Sequence, residues 1–464
     1  MVDGTVGLTG GGGNPPSIAI IGAGVTGLTI AHGLVQRGIP GGEIAVYEAQ
    51  QTPGGMAGTF SMNGVRLDRF YHFLCAPDRE YVAFLSDLNL SDRLRWRRSD
   101  MAFFDRGRLI RFSGGVDLLR YPGVDLLSKV RYAALVAAVR AMRDWRHLEH
   151  ITARQWLHGW LGRRGYEAFW AELIRRKFGP HSDRVCAAWI WARIRRNAQS
   201  RRFLLYDWLG YVRGGTGVFL DELVRRLSSS GVTIRCGLGV ERVDVDPEGA
   251  VEGIVAGGEK IPASRVIYAG TLIRLPSLLH GPVPRDYVSR LQRLESIGLV
   301  CVVLELLHPL TGRFWTNIVD PDTPQTGLVE FTALAPDYHP MGRSVVYLPH
   351  YRVLDDAELA TLDLDGIVRA ALPHFARLNS RFRPEWITGK ALFAEQYAQP
   401  VCPVGFTSST PGFDTGVKGL WALDHTMLLP DDRTIAGCIG LARSLLTRLE
   451  TTEFFGGQGC RGPR

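Results

Sequence analysis

The apolar run Ile18-Ala-Ile-Ile predicts a short buried strand, and it breaks at Gly22-Ala-Gly-Val-Thr-Gly27 into apolar positions at helical spacing that continue to Leu34. Val46-Tyr-Glu-Ala supplies a second strand ending in an acid. Much later, Ile297 to Leu304 is the longest uncharged apolar run; it is rich in valine and reads as a buried strand. Leu299 to Leu307 and Ser344 to Leu348 predict a second, largely antiparallel sheet. Between Asp78 and about Tyr206 the pattern is mainly helical, with Trp145, Trp156, Trp160, Trp170, Trp189 and Trp191 set among arginines. The tryptophans at 156, 160, 189 and 191 are spaced as core residues. A helix opens after Gly210-Tyr-Val-Arg-Gly-Gly, and strands at Val232 to Cys236, Val240 to Val245 and Arg265 to Gly270 return to the first unit. Two domains therefore interleave along the chain.

The glycine turn has a chemical reading. Gly22 permits a tight turn, Gly24 lets backbone approach a pyrophosphate, and Gly27 lets the helix pack on the strand. Val25 and Thr26 then sit in the first helical turn, whose amides face the phosphates. Glu48 falls 21 positions after Gly27, the spacing of an acid that accepts from a ribose hydroxyl. A second glycine cluster, Thr52-Pro-Gly-Gly-Met-Ala-Gly-Thr59, follows almost at once. A flavin is held along its whole length, so a second close backbone approach, at Gly54, Gly55, Met56 and Ala57, favours FAD over a nicotinamide. The opposing reading of that cluster is a surface loop.

The predicted fold class is α/β, a Rossmann-like FAD-binding domain interleaved with an α+β substrate domain and a helical cap. The expected divisions are a tail at 1–16, FAD-binding parts at 17–77, 210–275 and 391–452, a cap at 78–209, a substrate sheet at 276–390, and a second tail at 453–464.

Composition narrows the partners. Apolar residues make up 45% and charged residues 22% of the 464, an ordinary globular balance. The net charge of +8 comes almost wholly from arginines interspersed with acids, which argues against a nucleic-acid surface. Seven scattered cysteines form no C-x-x-C pair, so neither a disulfide framework nor a metal site is expected, and a reducing cytoplasm is the default. The first 16 residues lack the pattern of a signal peptide, and no window reaches the roughly 20 apolar residues of a spanning helix. Val124 to Trp145 interleaves Leu126, Leu127, Val130, Leu135 and Val136 with Lys129, Arg131 and Arg140. Such a helix can lie on anionic lipid, but the reading favoured here is a buried cap helix, with the protein staying in solution beside anionic vesicles. The oligomeric state is left open.

Gly22-Ala-Gly-Val-Thr-Gly, Glu48, Gly54-Gly55, Tyr211-Val-Arg-Gly-Gly and the closing Leu420-Trp-Ala-Leu-Asp-His-Thr-Met-Leu-Leu-Pro-Asp-Asp-Arg resemble the FAD-dependent amine oxidase, protoporphyrinogen oxidase and phytoene desaturase superfamily. Asp68-Arg-Phe-Tyr-His-Phe, Ala187-Ala-Trp-Ile-Trp-Ala-Arg-Ile-Arg-Arg and Glu395-Gln-Tyr-Ala-Gln-Pro are most similar to its protoporphyrinogen-oxidase-like bacterial branch. The resemblance implies that Val240 meets the adenine through its backbone. It also implies that Asp424 to Arg433 and the helix after it, entered at Thr434, lie along the ribityl chain and isoalloxazine. Three departures stand out. Met56 replaces the usual arginine, Leu423-Asp424-His425 replaces a Gly-Asp pair so that Asp424 or His425 takes its role, and Phe331 replaces a histidine often found in the branch.

By this resemblance the chain is expected to be an oxidase or dehydrogenase that removes two electrons from a C–N or C–C bond of a small or apolar metabolite. The same architecture is similar to UDP-galactopyranose mutase, a redox-neutral enzyme, and a flavin-bound scaffold is a third reading. Three residues are candidates for the chemistry. His72, after Tyr71, could take a proton near the flavin edge or simply bond backbone. Lys177, in Arg175-Arg-Lys-Phe-Gly, could hold an anion or a water, or be a solvated helix end. Tyr397 resembles an aromatic-cage residue of amine oxidases or packs in a core. Arg213 is a plausible phosphate or flavin contact, with a surface ion pair as its rival. Cys402 and Cys438 are not expected to tether the flavin.

Overall fold

A computed structural model describes residues 16–202, 206–323 and 325–455 of the chain. Most of both expected tails, 1–15 and 456–464, lies outside the described residues. At the C-terminal boundary Phe454 is buried against Trp421, with ring centroids 5.1 Å apart, so the ordered core runs past 452.

The first predicted unit forms as strand Ile18–Ile21, helix Val25–Gln36 and strand Ile44–Glu48. Both strands are buried along their whole length, which is why they are continuous apolar runs without alternation. They sit in a five-stranded parallel sheet in the order Thr233–Cys236, Ile44–Glu48, Ile18–Ile21, Arg265–Tyr268, Leu420–Ala422. One sheet thus collects strands from three distant stretches of chain. On one face, Ile18, Ile20, Val46 and Ile267 pack on Leu28, Leu223 and Leu446 of helices Val25–Gln36, Thr216–Ser229 and Ile435–Glu450. On the other face, Ala19, Ile21, Ala45 and Tyr47 share a core with Val243 and Ile254 of the antiparallel strands Val240–Val245 and Val251–Ala256.

The predicted run at 297–304 is the centre of strand Ser296–Leu306, which has Ser344–Arg352 and Ile387–Pro400 antiparallel on its two sides. This second sheet has seven strands and ends on Met101–Asp105 and Arg108–Arg111. Those two strands, with Leu94–Ser99, fall inside the stretch read as mainly helical. Leu94-Arg-Trp-Arg alternates half-buried and exposed positions, a period-2 signal that the surrounding tryptophans and arginines hid. Met101–Asp105 also pairs parallel with Trp315–Ile318, so the sheet is not purely antiparallel.

The helical part of the cap comprises Leu126–Ala141, Ala153–Tyr166, Glu172–Phe178 and Ala187–Gln199. Trp156, Trp189 and Trp191 are core residues, as their spacing predicts. Leu126–Ala141 departs from its expectation: Leu135 and Val139 are buried, but Leu126, Leu127 and Val130 are exposed. Among the described residues no helix is long and apolar enough to cross a membrane.

Candidate flavin and substrate site

At the first turn, Gly22 has φ +105° and its N–H donates to the Tyr47 carbonyl (2.8 Å). A Cβ on Gly27 would lie 1.9 Å from the Gly22 carbonyl oxygen, so only glycine allows this helix so close to the strand. A Cβ on Gly24, by contrast, would meet nothing within 4 Å. Gly24 is the helix N-cap and offers no side-chain oxygen to the first turn at Val25 and Thr26. Those amides, at the positive end of the helix dipole, are therefore available to an anion in the open space beside Gly24.

Glu48 is buried at the end of its strand. Its Oε2 accepts from the Ala23 N–H (2.8 Å) and its Oε1 from the Gln50 N–H (2.9 Å). The carboxylate shapes the turn and keeps a lone pair on each oxygen for a ribose hydroxyl. Leu238 N–H donates to the Glu48 carbonyl (2.9 Å), which draws the entry to the Val240 strand alongside. The second glycine cluster is no free loop: Gly54 N–H donates to the Ala23 carbonyl (2.8 Å), and a Cβ on Gly55 would stand 3.4 Å from Gly24 Cα. Gly54 and Gly55 take φ +117° and +55° to do this. Thr216 Oγ1 lies 2.7 Å from both the Ala57 carbonyl and Asp68 Oδ1, fixing the far side of the segment.

From Met56 the wall continues into a cavity of about 130 Å³ that reaches Tyr71, His72, Lys177, Tyr351, Arg433 and Thr434. Thr434 caps the last helix, Ile435–Glu450, its Oγ1 accepting from Gly437 N–H (2.9 Å). Arg433 reaches across the cavity: Nη2 donates to the Tyr351 hydroxyl (3.0 Å) and Nη1 lies 3.9 Å from the Met56 sulfur. Its buried Nε–H has no partner among the described residues. An orphaned guanidinium donor beside a helix N-terminus is the polar edge that a flavin ring needs.

Lys177 overturns the solvated-helix-end reading. It is 9% exposed, with Nζ 3.6 Å from Asp432 and 4.6 and 5.1 Å from the ring centroids of Trp189 and Tyr351. Burial pushes its ammonium down to about 8, with Arg193 and Arg433 adding to the effect and Asp432 opposing it. Asp432 would be raised by burial, but Lys177, Arg193 and Arg433 hold it well below the carboxylate range. Burial would likewise raise the Tyr351 hydroxyl, yet Lys177 and Arg433 bring it below its ordinary value.

His72 Nε2 bonds the Met56 carbonyl (3.1 Å), and burial drops its imidazole to about 4. It is a poor proton acceptor and ties the Tyr71 loop to the second glycine segment. Two candidates lie elsewhere. Arg213 has a largely exposed side chain and pairs with Asp337 (3.5 Å), not with the glycine turn. Tyr397 carries Arg274 over its ring at 5.3 Å and does not line the cavity. Asp424 is held by backbone, Oδ1 accepting from Thr426 N–H (2.7 Å) and Oδ2 from Leu272 N–H (2.8 Å), while His425 is half-buried beside it. Asp424 thus shapes the bend before the last helix.

A second cavity of about 160 Å³ continues past Lys177 and Tyr351 between Phe103, Phe112, Tyr132 and Trp189. Tyr71 and Phe73 meet Trp315 edge-on at 5.3 and 6.3 Å along the same path. Sequence reasoning missed Tyr351, Arg193 and Trp315, and marked Asp432 only as part of the stretch Asp424 to Arg433. The one available signal was the alternation Tyr347, Pro349, Tyr351 along a strand predicted to stop at Leu348.

A family model for flavin containing amine oxidoreductase matches residues 25–405, and the chain belongs to that family. Among solved structures, an oxidoreductase from Methanosarcina mazei is similar over 93% of this chain and 99% of its own, at 18% identity and TM-score 0.71. Reduced UDP-galactopyranose mutase is similar over 94% and 95%, at 15% identity and TM-score 0.71. Cyclohexylamine oxidase from Brevibacterium oxydans IH-35A is similar over 94% and 100%, at 14% identity and TM-score 0.64. At such identities the likeness is one of fold. No curated protein matches the chain by sequence.

Proposed function

We propose that the chain is an FAD-dependent oxidoreductase removing two electrons from a C–N or C–C bond of a small or apolar metabolite. The observation that carries this reading is the cavity that runs on from the second glycine segment at Met56, past Arg433 with its Nε unpartnered among the described residues, to an aromatic chamber that shares buried Lys177 with it. When bound, the isoalloxazine supplies the two-electron acceptor. The chain supplies the rest. The first-turn amides at Val25 and Thr26 hold the pyrophosphate, Glu48 accepts from the ribose, and Val240 borders the adenine end. Arg433 and the amides after Thr434 donate to the ring edge. The aromatic walls orient the substrate and exclude water, and Lys177 Nζ, with its ammonium brought down to about 8, exchanges a proton near neutral pH.

The test begins with the bound group. Heating should release FAD rather than FMN, and a preparation without flavin absorption that takes up no added FAD overturns the reading. Anaerobic mixing with panels of amines and of apolar, saturated substrates should then bleach the oxidised flavin band. Turnover only after prior reduction, with no net oxidation of substrate, assigns the mutase chemistry instead.

A further inference from the structure

Five of the ten large apolar side chains exposed among the described residues fall within fifteen positions: Val116, Leu119, Leu126, Leu127 and Val130, at 47% to 69% exposure. They lie on helix Gly115–Arg120 and the start of helix Leu126–Ala141. In the longer helix Leu126, Val130, Ala133, Ala137 and Ala141 recur at helical spacing on one face, opposite buried Ser128, Leu135 and Val139. Lys129 and Arg140 flank the exposed stripe on one side and Arg131 on the other. The outward face of the helix is thus apolar and uncovered, a face that a lipid interface can bury.

Charge decides what covers the face. Arg120, Lys129, Arg131, Arg140 and Arg143 lie within it, and Lys129 and Arg140 donate to the carbonyls of Leu119 and Ala198 rather than to carboxylates. Three nearby acids are already engaged: Asp117 accepts from Ser113 N–H and faces Arg111, Asp125 accepts from Ser128, and Asp144 accepts from Arg146 N–H. A second copy would set these cations against themselves, so the face is not self-complementary, whereas anionic headgroups satisfy it.

The interior points the same way. A groove between the two helices, walled by Phe112, Leu118, Tyr132, Val136 and Ala137, shares Phe112 and Tyr132 with the aromatic chamber. That chamber shares Lys177, Trp315 and Tyr351 with the flavin-side cavity. We propose that the Gly115–Ala141 face docks on anionic lipid bilayers and opens the groove toward their acyl region. The docking stands independently of the redox reading; only the entry of an apolar substrate by this route rests on it.

The experiment uses the full chain loaded with flavin, mixed at physiological salt with phosphatidylglycerol-rich vesicles or with pure phosphatidylcholine vesicles and sedimented. Wild type is expected to sediment with the anionic vesicles, more weakly with the neutral ones, and less as salt rises. Leu126→Glu, Leu127→Glu and Val130→Glu together should lower partition about 100-fold, with flavin absorption and elution volume unchanged. Should that variant fail to fold, Leu126→Ser with Leu127→Ser is expected to lower partition about tenfold. Wild type remaining in the supernatant, or equal binding by the substituted protein, overturns the proposal. So does a dimer that the same substitutions dissolve while neither form binds vesicles, which assigns the face to a second copy.

Discussion

The two ends of the site are built by different means. At the glycine end, backbone does the holding: Gly22, Gly24, Gly27, Gly54 and Gly55 bring main chain together, and the Glu48 carboxylate is bound by two main-chain amides. At the reacting end, side chains do it. Lys177, the adjacent Asp432 and Arg433, Tyr351 and Tyr71 come from four separate segments, and their burial beside one another moves the ionisation of Lys177, Asp432 and Tyr351. The first end has local geometry that tolerates little added bulk at Gly22, Gly27 and Gly54 and leaves open space beside Gly24. The second has strained charge that tolerates substitution but changes its chemistry.

The largest effect expected from this contrast is that of Gly27→Val. Its Cβ would stand 1.9 Å from the Gly22 carbonyl oxygen, and the obstacle is backbone, which cannot rotate aside. Stability should fall by at least about 3 kcal/mol and flavin occupancy about 100-fold or more. Thermal unfolding and the flavin-to-protein ratio read the two effects. A fully yellow protein of wild-type stability would break the claim that backbone contact builds this end.

Glu48→Ala should cost less, about 1–3 kcal/mol of flavin retention, because the Ala23 and Gln50 amides lose their acceptor along with the ribose. Glu48→Gln, which keeps an acceptor, should recover part of it. Equal retention in wild type and both variants removes Glu48 from the site.

The same contrast explains what was legible in the sequence. The glycine turns, Glu48 and the strands around them form within a stretch of about forty residues, so residue type and spacing carry the geometry. The valine-rich run at 297–304 was equally plain, since a strand covered on both faces needs no alternation. Lys177 was visible only as part of an Arg-Arg-Lys run. What makes it distinctive is Trp189, Tyr351 and Asp432 folding over it from 12, 174 and 255 positions away. No local pattern encodes that convergence. Arg213 failed in the opposite sense: it stands just before the Gly214-Gly215 turn that opens a helix, like a phosphate ligand, but its side chain pairs with Asp337.

Lys177→Met sharpens the reacting end. If Nζ exchanges the proton, flavin reduction by substrate should slow about 10–100-fold and a limb near pH 8 should vanish from the rate profile. Stability should move the other way. Burial lowers the Lys177 pKa from 10.5 to about 8, so the charged form is disfavoured in the fold. The penalty is present in full below about pH 8 and disappears as pH rises toward 10.5. Lys177→Met should therefore melt higher than wild type at pH 7, and the difference should close as pH approaches 10.5. A variant that is slower and also less stable at pH 7 makes Lys177 a structural partner of Asp432 instead.

The smallest effect is expected at His72, where the two ends meet. Its Nε2 donates to the Met56 carbonyl (3.1 Å), and burial holds the imidazole near 4, so at neutral pH it is neutral, already bonded and weakly basic. Removing one such bond costs on the order of 1 kcal/mol, felt as a slight loosening of the Met56 segment and of the flavin. His72→Ala should therefore leave the rate of flavin reduction within about fivefold of wild type, against the roughly 100-fold loss expected of a general base. The form of the pH profile separates the cases more sharply than the rate does. Loss of a positioning bond scales the profile without moving its limbs, whereas loss of the proton acceptor removes one. A missing limb in His72→Ala with an unaltered one in Lys177→Met would transfer the proton exchange from the buried lysine to the loop histidine.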